Sequence, residues 1–508
     1  MTLVQNDLVD RIFISLVSLT SQRIPLYLVG GAVRDLLLGQ NPDDLDFVRN
    51  DKAIHFAKQV ADALAGDVYV LDQERDTARV ILTQPGKKPL TLDFARMRGD
   101  TIEEDLKTRD FTINAMAIDT REPRSIIDPL SGAKHLKDRV LVTCSDNSFV
   151  DDPLRVLRAV RMATALSLRF DTRVLPQLKK ALPGLQDISG ERIRDELFKL
   201  FDGVNVERSL RIADQLGILR HVFPELMRLK DINQPLPHQW DAWTHTLKTI
   251  DNLERIANVI AGTYQPDQAA ELRIGLAVLH LGMFRDQLSD HCNRTLTANR
   301  TLKSLLLFAG LYHDLGKADT RSTSADGTLH FYGHEQRSAE EFEKRAKFLA
   351  LSNLEIERVN TIILHHMRPH QLAREIDPLT DRAIYRFFRD TGEAGVDVCL
   401  LALADTLATY GVTLPQETWI RELQTCQRLL NGYYITPQRS VKPVKMVNGD
   451  DLQREFGLRP GPMIGKLLEL IRESQAGGEI LTREDAFEFA NRWLTNTKNK
   501  KDVDDDAH

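Results

Sequence analysis

Two aspartates in the N-terminal region stand one residue apart. Asp44 and Asp46 flank Leu45, and in a strand that points Leu45 into a core both carboxylates reach the same face. Carboxylates so placed repel each other unless a cation lies between them, and Mg²⁺ carrying nucleotide phosphates is a common occupant. For this pattern alone, a solvated acidic loop is the alternative.

A pair of glycines close by favours the chemical interpretation. Gly30 and Gly31 separate the apolar segment 24–29 from the helical segment 32–38. Such a turn lets backbone N–H groups approach a phosphate, and the dipole of the following helix favours negative charge there. The turn and the carboxylate pair together predict a site for a nucleotide with its metal ion.

Charged residues at three-residue spacing form a second candidate group. On a helix, Asp152, Arg155 and Arg158 would lie near one another. A carboxylate can accept from the amino group of cytosine or adenine while a guanidinium donates to the adjacent ring nitrogen. Uracil and guanine present the reverse arrangement and would leave buried groups unpaired. The group therefore predicts selection of C and A over U and G, and intrahelical ion pairs are the alternative.

A third group of candidate residues lies in the C-terminal half. His245, the adjacent pair His313 and Asp314, and Asp405 all fall in or beside helical segments. Imidazole and carboxylate together suit a divalent metal that activates water, and distant helices can close such a set around one ion. These residue types alone do not identify which metal would bind or which substrate would react.

The elements that must position these groups differ between the two halves of the chain. Before residue 145 the pattern predicts short strands at 24–29, 46–48, 67–71, 78–82, 90–94 and 115–118. After residue 150 helical periodicity dominates, at 155–166, 192–201, 208–216, 243–260, 301–311 and 338–349. The predicted fold class is therefore α+β, an α/β head followed by an all-α neck and body.

Composition excludes several classes of protein. The chain has 508 residues, of which 42% are hydrophobic and 28% charged, so disorder throughout and fibrous structures are excluded. No apolar run has the length of a membrane span, and the densest, 305–312, has that of a buried segment. Four scattered cysteines and the lack of a signal peptide predict a cytoplasmic protein, with no membrane or protein partner evident.

Four motifs in order resemble the class II tRNA nucleotidyltransferase and bacterial poly(A) polymerase superfamily. The first motif consists of residues 30–35 together with residues 44–46, and the other three are residues 109–117, 151–161 and 191–197. The resemblance implies a polymerase-β-like nucleotidyltransferase head that adds C and A from CTP and ATP to the 3′ end of tRNA. It also implies that Asp44 and Asp46 are catalytic and hold Mg²⁺.

The same resemblance assigns roles to further residues. Gly31, Arg34 and Arg109 would hold the triphosphate. Asp152 and Arg155 would read the base, and Arg158 and Arg161 would contact the nucleotide. The segment Ala95–Thr108 is shorter than the matching segment of members that add the whole CCA end. In this shortened segment the chain resembles members that add only the two cytidines. A member that adds only CC, only A or poly(A) is therefore the alternative.

The order His, His-Asp, Asp over about residues 235–412 resembles the HD phosphohydrolase domain. This implies a second divalent metal held by His245, His313, Asp314 and Asp405. His334 and the adjacent pair His365 and His366 fall where some HD enzymes place extra ligands, and of these His334 and His365 are the predicted additional ligands. Tethered HD domains are associated with hydrolysis of cyclic phosphates and phosphate ends, so an HD phosphohydrolase with an RNA-binding head is an alternative of another class.

The predicted domains follow from these groups and, for the last helical region, from segments 447–452 and 458–466, which resemble the C-terminal region of the same tRNA nucleotidyltransferases, with a helix-start loop as the alternative. They are a nucleotidyltransferase head at 1–145, a helical neck for base selection and RNA binding at 146–230, an HD domain at 231–412, a C-terminal helical tRNA-binding region at 413–495 and a disordered tail at 496–508.

Overall fold

The structure is a computed structural model that describes residues 7–20, 24–42, 44–83, 89–260, 271–297, 300–375 and 378–505. For Asp7 and for residues 498–505 only the backbone is described. The chain forms two compact units, one of residues 1–204 and 208–222 and the other of residues 205–207 and 223–508. The first contains a seven-stranded sheet and the second is mainly helical, which confirms the predicted α+β class.

The seven strands lie in the order β3-β4-β5-β2-β1-β6-β7. Their bounds are β1 Leu26–Val29, β2 Asp44–Arg49, β3 Asp67–Asp72, β4 Thr77–Leu82, β5 Leu90–Arg96, β6 Ala117–Asp119 and β7 Ile126–Ile127. Strands β2 and β5 run parallel, and the other neighbours run antiparallel. The short strand β7 has no counterpart among the predicted strands, because two residues carry no periodicity.

Aromatic packing fixes the centre of this sheet. Phe47 of β2 and Phe94 of β5 stack with ring centroids 5.3 Å apart, and Phe56 packs edge-on against Phe94 at 5.6 Å. All three side chains are buried, and each such burial stabilises the fold by about 1.5–3 kcal/mol. The packing sets which faces of β2 and β5 point outward, and hence where their aspartates lie.

Helices surround the sheet and continue into the rest of the first unit. The α-helices are Asp7–Leu19, Gly31–Leu37, Ala53–Leu64, Ile102–Lys107, Gly132–Lys137, Ser148–Asp151, Arg155–Ala165, Val174–Ala181, Gly190–Phe201, Val206–Gln215 and Leu219–Val222. Two 3₁₀ segments span Thr112–Asn114 and Leu182–Asp187, and strands Val140–Leu141 and Arg169–Phe170 pair in parallel.

The second unit is built from helices with two short hairpins. Its α-helices are Ala242–Ile260, Leu272–Leu281, Arg285–Asn293, Leu302–Tyr312, Lys317–Thr320, His334–Phe348, Asn353–His365, Arg368–Arg374, Asp381–Thr391, Gly395–Tyr410, Gln416–Tyr434, Pro437–Ser440, Gly449–Phe456, Pro462–Ala476 and Arg483–Asp505. The 3₁₀ segments are Pro224–Leu229, Gly282–Phe284, Gly392–Ala394 and Gly411–Thr413. The hairpins pair Thr295–Thr297 with Arg300–Thr301 and Ser322–Thr323 with Leu329–His330.

The core of the second unit is made by its most apolar helices. Residues 305–312 are all buried, as their composition predicts. The helical stretch 381–413 has the length and apolar character of a membrane span, but 78% of its most apolar window is buried within the protein. A helical stretch that is buried to this extent belongs to the core of the protein.

The last described residues of the chain are helical. The backbone of residues 496–505 continues the helix that begins at Arg483, since neither glycine nor proline occurs there to end it. Residues 506–508 lie outside the described residues.

Candidate nucleotidyl-transfer site and metal centre

The glycine turn brings the ends of β1 and β2 close to a cationic side chain. Gly30 has φ 77°, a backbone conformation that favours glycine, and the helix Gly31–Leu37 begins directly after it. A Cβ atom at Gly30 would lie 3.3 Å from both Arg109 Nη1 and Asp46 Oδ2. The turn, a carboxylate and a guanidinium therefore meet at one place, as a site for a metal-bound phosphate requires.

Three carboxylates gather on adjacent strands beside this turn. Asp44 and Asp46 alternate with buried Leu45 on β2, and the parallel register pairs Asp46 with Asp93 of β5. Burial and the negative charge of Asp93 raise the pKa of Asp46 to about 6, against the effect of Arg109. A cation between these groups would relieve the cost of charging Asp46. The residues therefore fit a divalent metal.

Asp93 lies in a predicted strand but was not among the predicted site residues. It accepts hydrogen bonds from Arg79 Nε and Nη2, both at 2.8 Å. The signal that could have found it is a charged residue between buried Leu92 and Phe94, but its position beside Asp46 depends on strand pairing.

Two arginines predicted to hold phosphates are each fixed by hydrogen bonds. Arg109 donates to Asp105 Oδ2 from Nε at 3.1 Å and from Nη2 at 3.0 Å. Arg34 donates to Asp35 at 2.8 Å and to Asn114 at 2.7 Å. A Cβ atom at Gly31 would lie 3.3 Å from Arg34 Nη2. The structure thus places both guanidinium groups at the glycine turn.

Asp152 and Arg155, the residues predicted to read the base, line a cavity of ≈ 1250 Å³, and their side chains do not pair with each other. Asp152 has extended backbone before Pro153 and precedes the helix that starts at Arg155. The expectation that one helix face carries both residues is therefore corrected, since a residue before proline avoids helical geometry. Asp152 instead accepts from Arg192 Nη2, at 3.0 and 2.8 Å, and Arg192 also lines the cavity.

Arg155 makes other contacts at this cavity. It donates to Ser148 Oγ and to the Thr108 carbonyl oxygen, each at 3.0 Å. Because guanidinium N–H groups hold the backbone of Thr108, the segment before Arg109 is tied to the base-reading region. Arg192 belongs to the motif 191–197 and to the predicted helix 192–201, but it was not among the predicted site residues.

Arg158 and Arg161 point toward buried carboxylates. Arg161 Nε donates to Glu196 Oε1 at 2.6 Å, and Arg158 Nη1 donates to Asp110 Oδ2 at 3.2 Å. Burial alone would raise the pKa of Asp110, but the charge of Arg158 and hydrogen bonds from the Phe111 N–H and Asn114 lower it. Among the described residues that line the cavity, Arg155 is present and these two arginines are not.

The predicted metal ligands of the second unit meet in one buried cluster. His245 Nε2 lies 2.9 Å from Asp405 Oδ1 and 3.4 Å from Asp314 Oδ2. His313 Nε2 lies 3.4 Å from the same Asp314 oxygen and 3.9 Å from Asp405 Oδ1. Helices far apart in sequence supply these atoms, as expected from the order of the residues.

A second group shares Asp314 with the first. His334 Nε2 lies 3.4 Å from Asp314 Oδ1 and 3.3 Å from His366 Nε2. The two possible ligand groups are His245, His313 and Asp314, and Asp314, His334 and His366. Neither contains His365: the structure places its neighbour His366 in the cluster, because successive helical residues point about 100° apart.

The histidine rings are oriented as metal ligands usually are. The Nδ1–H groups of His313, His334 and His366 face the carbonyl oxygens of Gly310, Phe331 and Ile363, at 2.7–2.9 Å. A ring that donates from Nδ1 presents the Nε2 lone pair to the cluster. Burial lowers the pKa of His366 and of His334, which keeps these rings neutral.

Buried nitrogen and oxygen atoms without hydrogen-bond partners indicate whether the cluster fits a metal. In the described part of the chain, His245 Nε2, His313 Nε2 and Asp405 Oδ1 are buried without a hydrogen bond, since His245 Nε2 and Asp405 Oδ1 are 2.9 Å apart but not aligned as donor and acceptor. Such groups cost about 1–3 kcal/mol each when left unpaired, and a divalent cation would satisfy them together. The donor set therefore fits a divalent metal.

One further residue holds the cluster and was not predicted. His370 lies between Asp405 Oδ2 and Glu422 Oε1, 3.0 Å from each. Burial alone would lower the pKa of His370, but the two carboxylates raise it to about 10. The ring thus binds one oxygen of Asp405 and leaves Oδ1 facing the ligands.

Comparison with known proteins finds family models that match the segments containing both candidate sites. The family model described as "Poly A polymerase head domain" matches residues 26–142, that described as "Probable RNA and SrmB- binding site of polymerase A" matches 167–229, and "HD domain" matches 242–410. An A-adding tRNA nucleotidyltransferase of Deinococcus radiodurans is 29% identical over 92% of this chain and 96% of that protein. A CC-adding tRNA nucleotidyltransferase of Thermus thermophilus is 29% identical over 92% and 93%.

The chain therefore carries, in this order, matches to a poly(A) polymerase head domain, a polymerase A RNA-binding region and an HD domain, and the relatives named above are tRNA nucleotidyltransferases.

Solved structures share the fold of this chain. The apo form of a CCA-adding enzyme matches with a TM-score of 0.60 and 22% identity, over 95% of this chain and 94% of that one. Other structures with this fold are CCA-adding enzymes in complex with ATP, with CTP and, from Thermotoga maritima, with tRNA. Nucleotidyltransferase and HD domains generally use divalent metals, in agreement with the two donor sets described above.

Proposed function

We propose that this tRNA nucleotidyltransferase adds C and A from CTP and ATP to the 3′ end of tRNA without a template. The observation that carries the proposal is the gathering of Asp44, Asp46 and Asp93 beside the Gly30 turn and Arg109. In the same unit, Asp152 and Arg155 line a cavity large enough for a nucleotide. The activities named for the relatives support this assignment, and four free cysteines suit a cytoplasmic enzyme.

In this proposal the residues of the first unit divide the work. Asp44 and Asp46 would hold Mg²⁺, which when bound would activate the RNA 3′-hydroxyl and neutralise the leaving pyrophosphate. The hydroxyl oxygen bonds to the α-phosphorus of the nucleotide, and the bond to pyrophosphate breaks. Gly31, Arg34 and Arg109 hold the triphosphate for this displacement.

Base choice is assigned to Asp152 with a neighbouring guanidinium. The carboxylate accepts from the amino group that cytosine and adenine share, and Arg155 donates to the ring nitrogen. Arg192 acts as a positioning residue, because it donates to both oxygens of Asp152.

A second candidate, addition of CC only, is favoured by the short segment 95–108. Thr101 caps the helix Ile102–Lys107 with a hydrogen bond to the Glu104 N–H, and Asp105 accepts from the Arg98 N–H as well as from Arg109. The segment is folded back on the arginine that holds phosphates. A loop so fixed has little freedom to rearrange for a different nucleotide.

Labelled CTP and ATP, separately and together, test these candidates. The acceptors are tRNAs that end before CCA, after C and after CC, with products sized to one nucleotide. Addition of all three nucleotides supports the first candidate, and arrest after the second C supports CC addition. Addition of A alone to the CC end would assign it to the A-adding class. No addition to any acceptor would contradict nucleotidyl transfer.

We propose a second activity, metal-dependent hydrolysis of phosphate esters by the HD domain. The supporting observation is the buried pair of ligand groups that share Asp314. A divalent metal there would activate water, whose oxygen bonds to phosphorus while the ester P–O bond breaks and the leaving alcohol takes a proton. Phosphate release measured with Mg²⁺, Mn²⁺ and Ni²⁺ in turn tests it, and no release with any of them would contradict it.

A further inference from the structure

A guanidinium group lies in the same row of the sheet as two carboxylates of the nucleotidyl-transfer site. Arg79 of β4 is paired in register with Asp93 of β5, and Asp93 is paired in register with Asp46 of β2. Directly paired residues point to the same face of a sheet, so these three side chains form a row across three neighbouring strands. Asp93 therefore has a cation on one side and a carboxylate on the other.

Both oxygens of Asp93 are held by Arg79. Nε donates to Oδ1 and Nη2 donates to Oδ2, each at 2.8 Å, which is the forked geometry that fits a guanidinium to a carboxylate. Strands β4 and β2 lie on opposite sides of β5. The fork therefore draws the carboxylate of Asp93 toward β4 and away from Asp46.

The distances among the carboxylates agree with this arrangement. In the described part of the chain, the groups of three or more possible metal ligands whose atoms all lie within 4.8 Å of one another are the two groups of the HD domain. Asp44, Asp46 and Asp93 do not form such a group, although they lie on adjacent strands. A metal at Asp44 and Asp46 would thus have two carboxylate ligands and open positions for phosphate oxygens, the usual arrangement for Mg²⁺ with a nucleotide.

The charges of the site agree as well. Arg79 compensates the charge of Asp93, and the other guanidinium nearby, that of Arg109, donates to Asp105. The negative charge left for a metal is that of Asp44 and Asp46, which one divalent cation neutralises. Without Arg79, the carboxylate of Asp93 would be free to turn toward the same ion.

We propose that Arg79 is a positioning residue that keeps Asp93 out of the ligand set of the catalytic metal. Asp44 and Asp46 alone hold the ion in the nucleotide-free protein, and the triphosphate supplies further oxygen ligands. The inference rests on the proposed nucleotidyl transfer for its metal and nucleotide, but metal binding without nucleotide tests it separately.

Titration of the full-length protein with Mn²⁺ in the absence of nucleotide measures this binding, with free Mn²⁺ followed by electron paramagnetic resonance. Every protein compared carries His313→Ala and Asp314→Ala, so that the HD cluster does not dominate the signal. Adding Asp44→Asn and Asp46→Asn to the same protein gives the Mn²⁺ that is bound elsewhere. The difference between the two titrations is binding at the carboxylate pair.

Arg79→Ala is expected to tighten Mn²⁺ binding at the carboxylate pair about tenfold, because freed Asp93 adds both a ligand and a negative charge. Adding Asp93→Asn to Arg79→Ala should bring the Kd back to within about threefold of the value before either change, because the two residues act through one contact. Tighter binding that depends on Asp93 is a result that a merely structural role of Arg79 would not produce.

Arg121 offers a matched control in the same sheet. It forms a similar fork on Asp119, with Nε at 2.9 Å from Oδ1, and the two side chains are 37% and 15% exposed, against 38% and 21% for Arg79 and Asp93. Arg121→Ala should leave the Kd for Mn²⁺ unchanged. Weaker binding in Arg79→Ala would show that the arginine presents Asp93 to the metal. That result, an unchanged Kd, or no binding with or without Arg79 would overturn the inference.

Nucleotide addition separates failure of the inference from failure of the proposed function. CTP incorporation into tRNA is measured at varied Mg²⁺ concentration, and Arg79→Ala is expected to lower the concentration that gives half-maximal rate. If the wild-type protein incorporates no nucleotide into any acceptor, the proposed nucleotidyl transfer is wrong. The Mn²⁺ titration still decides whether Arg79 keeps Asp93 from the metal.

Discussion

Asp46 shows how much of the chemistry depends on single side chains. Its carboxylate is affected by the charges of both Asp93 and Arg109, and burial and Asp93 raise its pKa to about 6. A group so placed is stabilised in its charged form by a bound cation. The same side chain therefore gains its function and its unusual pKa from the same neighbours.

The first prediction concerns this carboxylate pair. Asp44→Asn with Asp46→Asn is expected to lower CTP incorporation into tRNA on the order of 10³-fold or more, because the metal ligands are lost. Binding of tRNA in a gel-shift assay should change little. Asp67→Asn, at an exposed position that starts β3, is the matched control. Incorporation that persists in the double variant would contradict the mechanism.

A second prediction at the residue scale concerns Arg192. Arg192→Ala removes the donor that holds both oxygens of Asp152. The preference for CTP over UTP is expected to fall about tenfold or more, since a good bidentate contact contributes about 1–3 kcal/mol of discrimination. Competition between the two nucleotides at equal concentration measures it. Arg173→Ala, which removes an exposed arginine, should leave the preference unchanged.

At the scale of elements, the HD cluster depends on a close approach between two segments. A Cβ atom at Gly316 would lie 2.1 Å from the carbonyl oxygen of His334, and the Gly316 N–H donates to Ser338 Oγ at 2.8 Å. Only a glycine lets the turn after Asp314 pack against the start of the helix His334–Phe348. The approach places His334 beside Asp314.

The third prediction follows from the close contact between Gly316 and the carbonyl oxygen of His334. Gly316→Ala must push the two segments apart, and overpacking of this kind costs about 1–3 kcal/mol of stability. We expect less bound divalent metal, measured by elemental analysis, and a lower Tm. Gly465→Ala lies in a helix with nothing within 4 Å of the new Cβ, and it is expected to raise stability by about 0.5–1 kcal/mol. Equal behaviour of the two variants would contradict the steric argument.

At the scale of the whole molecule, stability also depends on a buried ionic group away from the metal cluster. Asp397 lies 2.9 Å from His291 Nε2 and 2.5 Å from Arg358 Nη2. Burial alone would raise the pKa of Asp397, but the charges of His291 and Arg358 lower it from its usual value of 3.8. Its contribution to stability is therefore present above pH 3.8 and is lost as pH falls through the lower folded value.

The fourth prediction tests the direction in which the stability contribution of Asp397 changes with pH. Asp397→Asn leaves Arg358 without its buried partner and is expected to cost about 3–5 kcal/mol at pH 7. Urea unfolding between pH 3 and pH 7 should show the difference from wild type shrinking as the pH falls below 4. A difference that stays constant over this range would show that the charge of Asp397 has no part in it.

The fifth prediction concerns the independence of the two chemistries. Asp44 and Asp46 lie in one compact unit, and His313 and Asp314 lie in the other. His313→Ala with Asp314→Ala is expected to abolish metal-dependent phosphate release and to keep nucleotide addition within about twofold, because no reacting group is shared. Loss of both activities in a protein whose circular dichroism is unchanged would contradict separate sites.

The sequence by itself determined the features that depend on short stretches of chain. Alternation of apolar residues is local, and it predicted β1 to β5 within two residues. The glycine turn, the spacing of Asp44 and Asp46 and the order of the HD ligands are also local, and they identified the superfamily.

Only the tertiary structure decided which distant side chains meet. Asp93 lies beside Asp46 through parallel strand pairing, and Arg192 reaches Asp152 from another helix. The choice of His366 over His365 depends on the phase of a helix at its end, which periodicity fixes to no better than a residue or two. Register, helix phase and packing are set by contacts between segments far apart in the chain, so no pattern within one segment contains them.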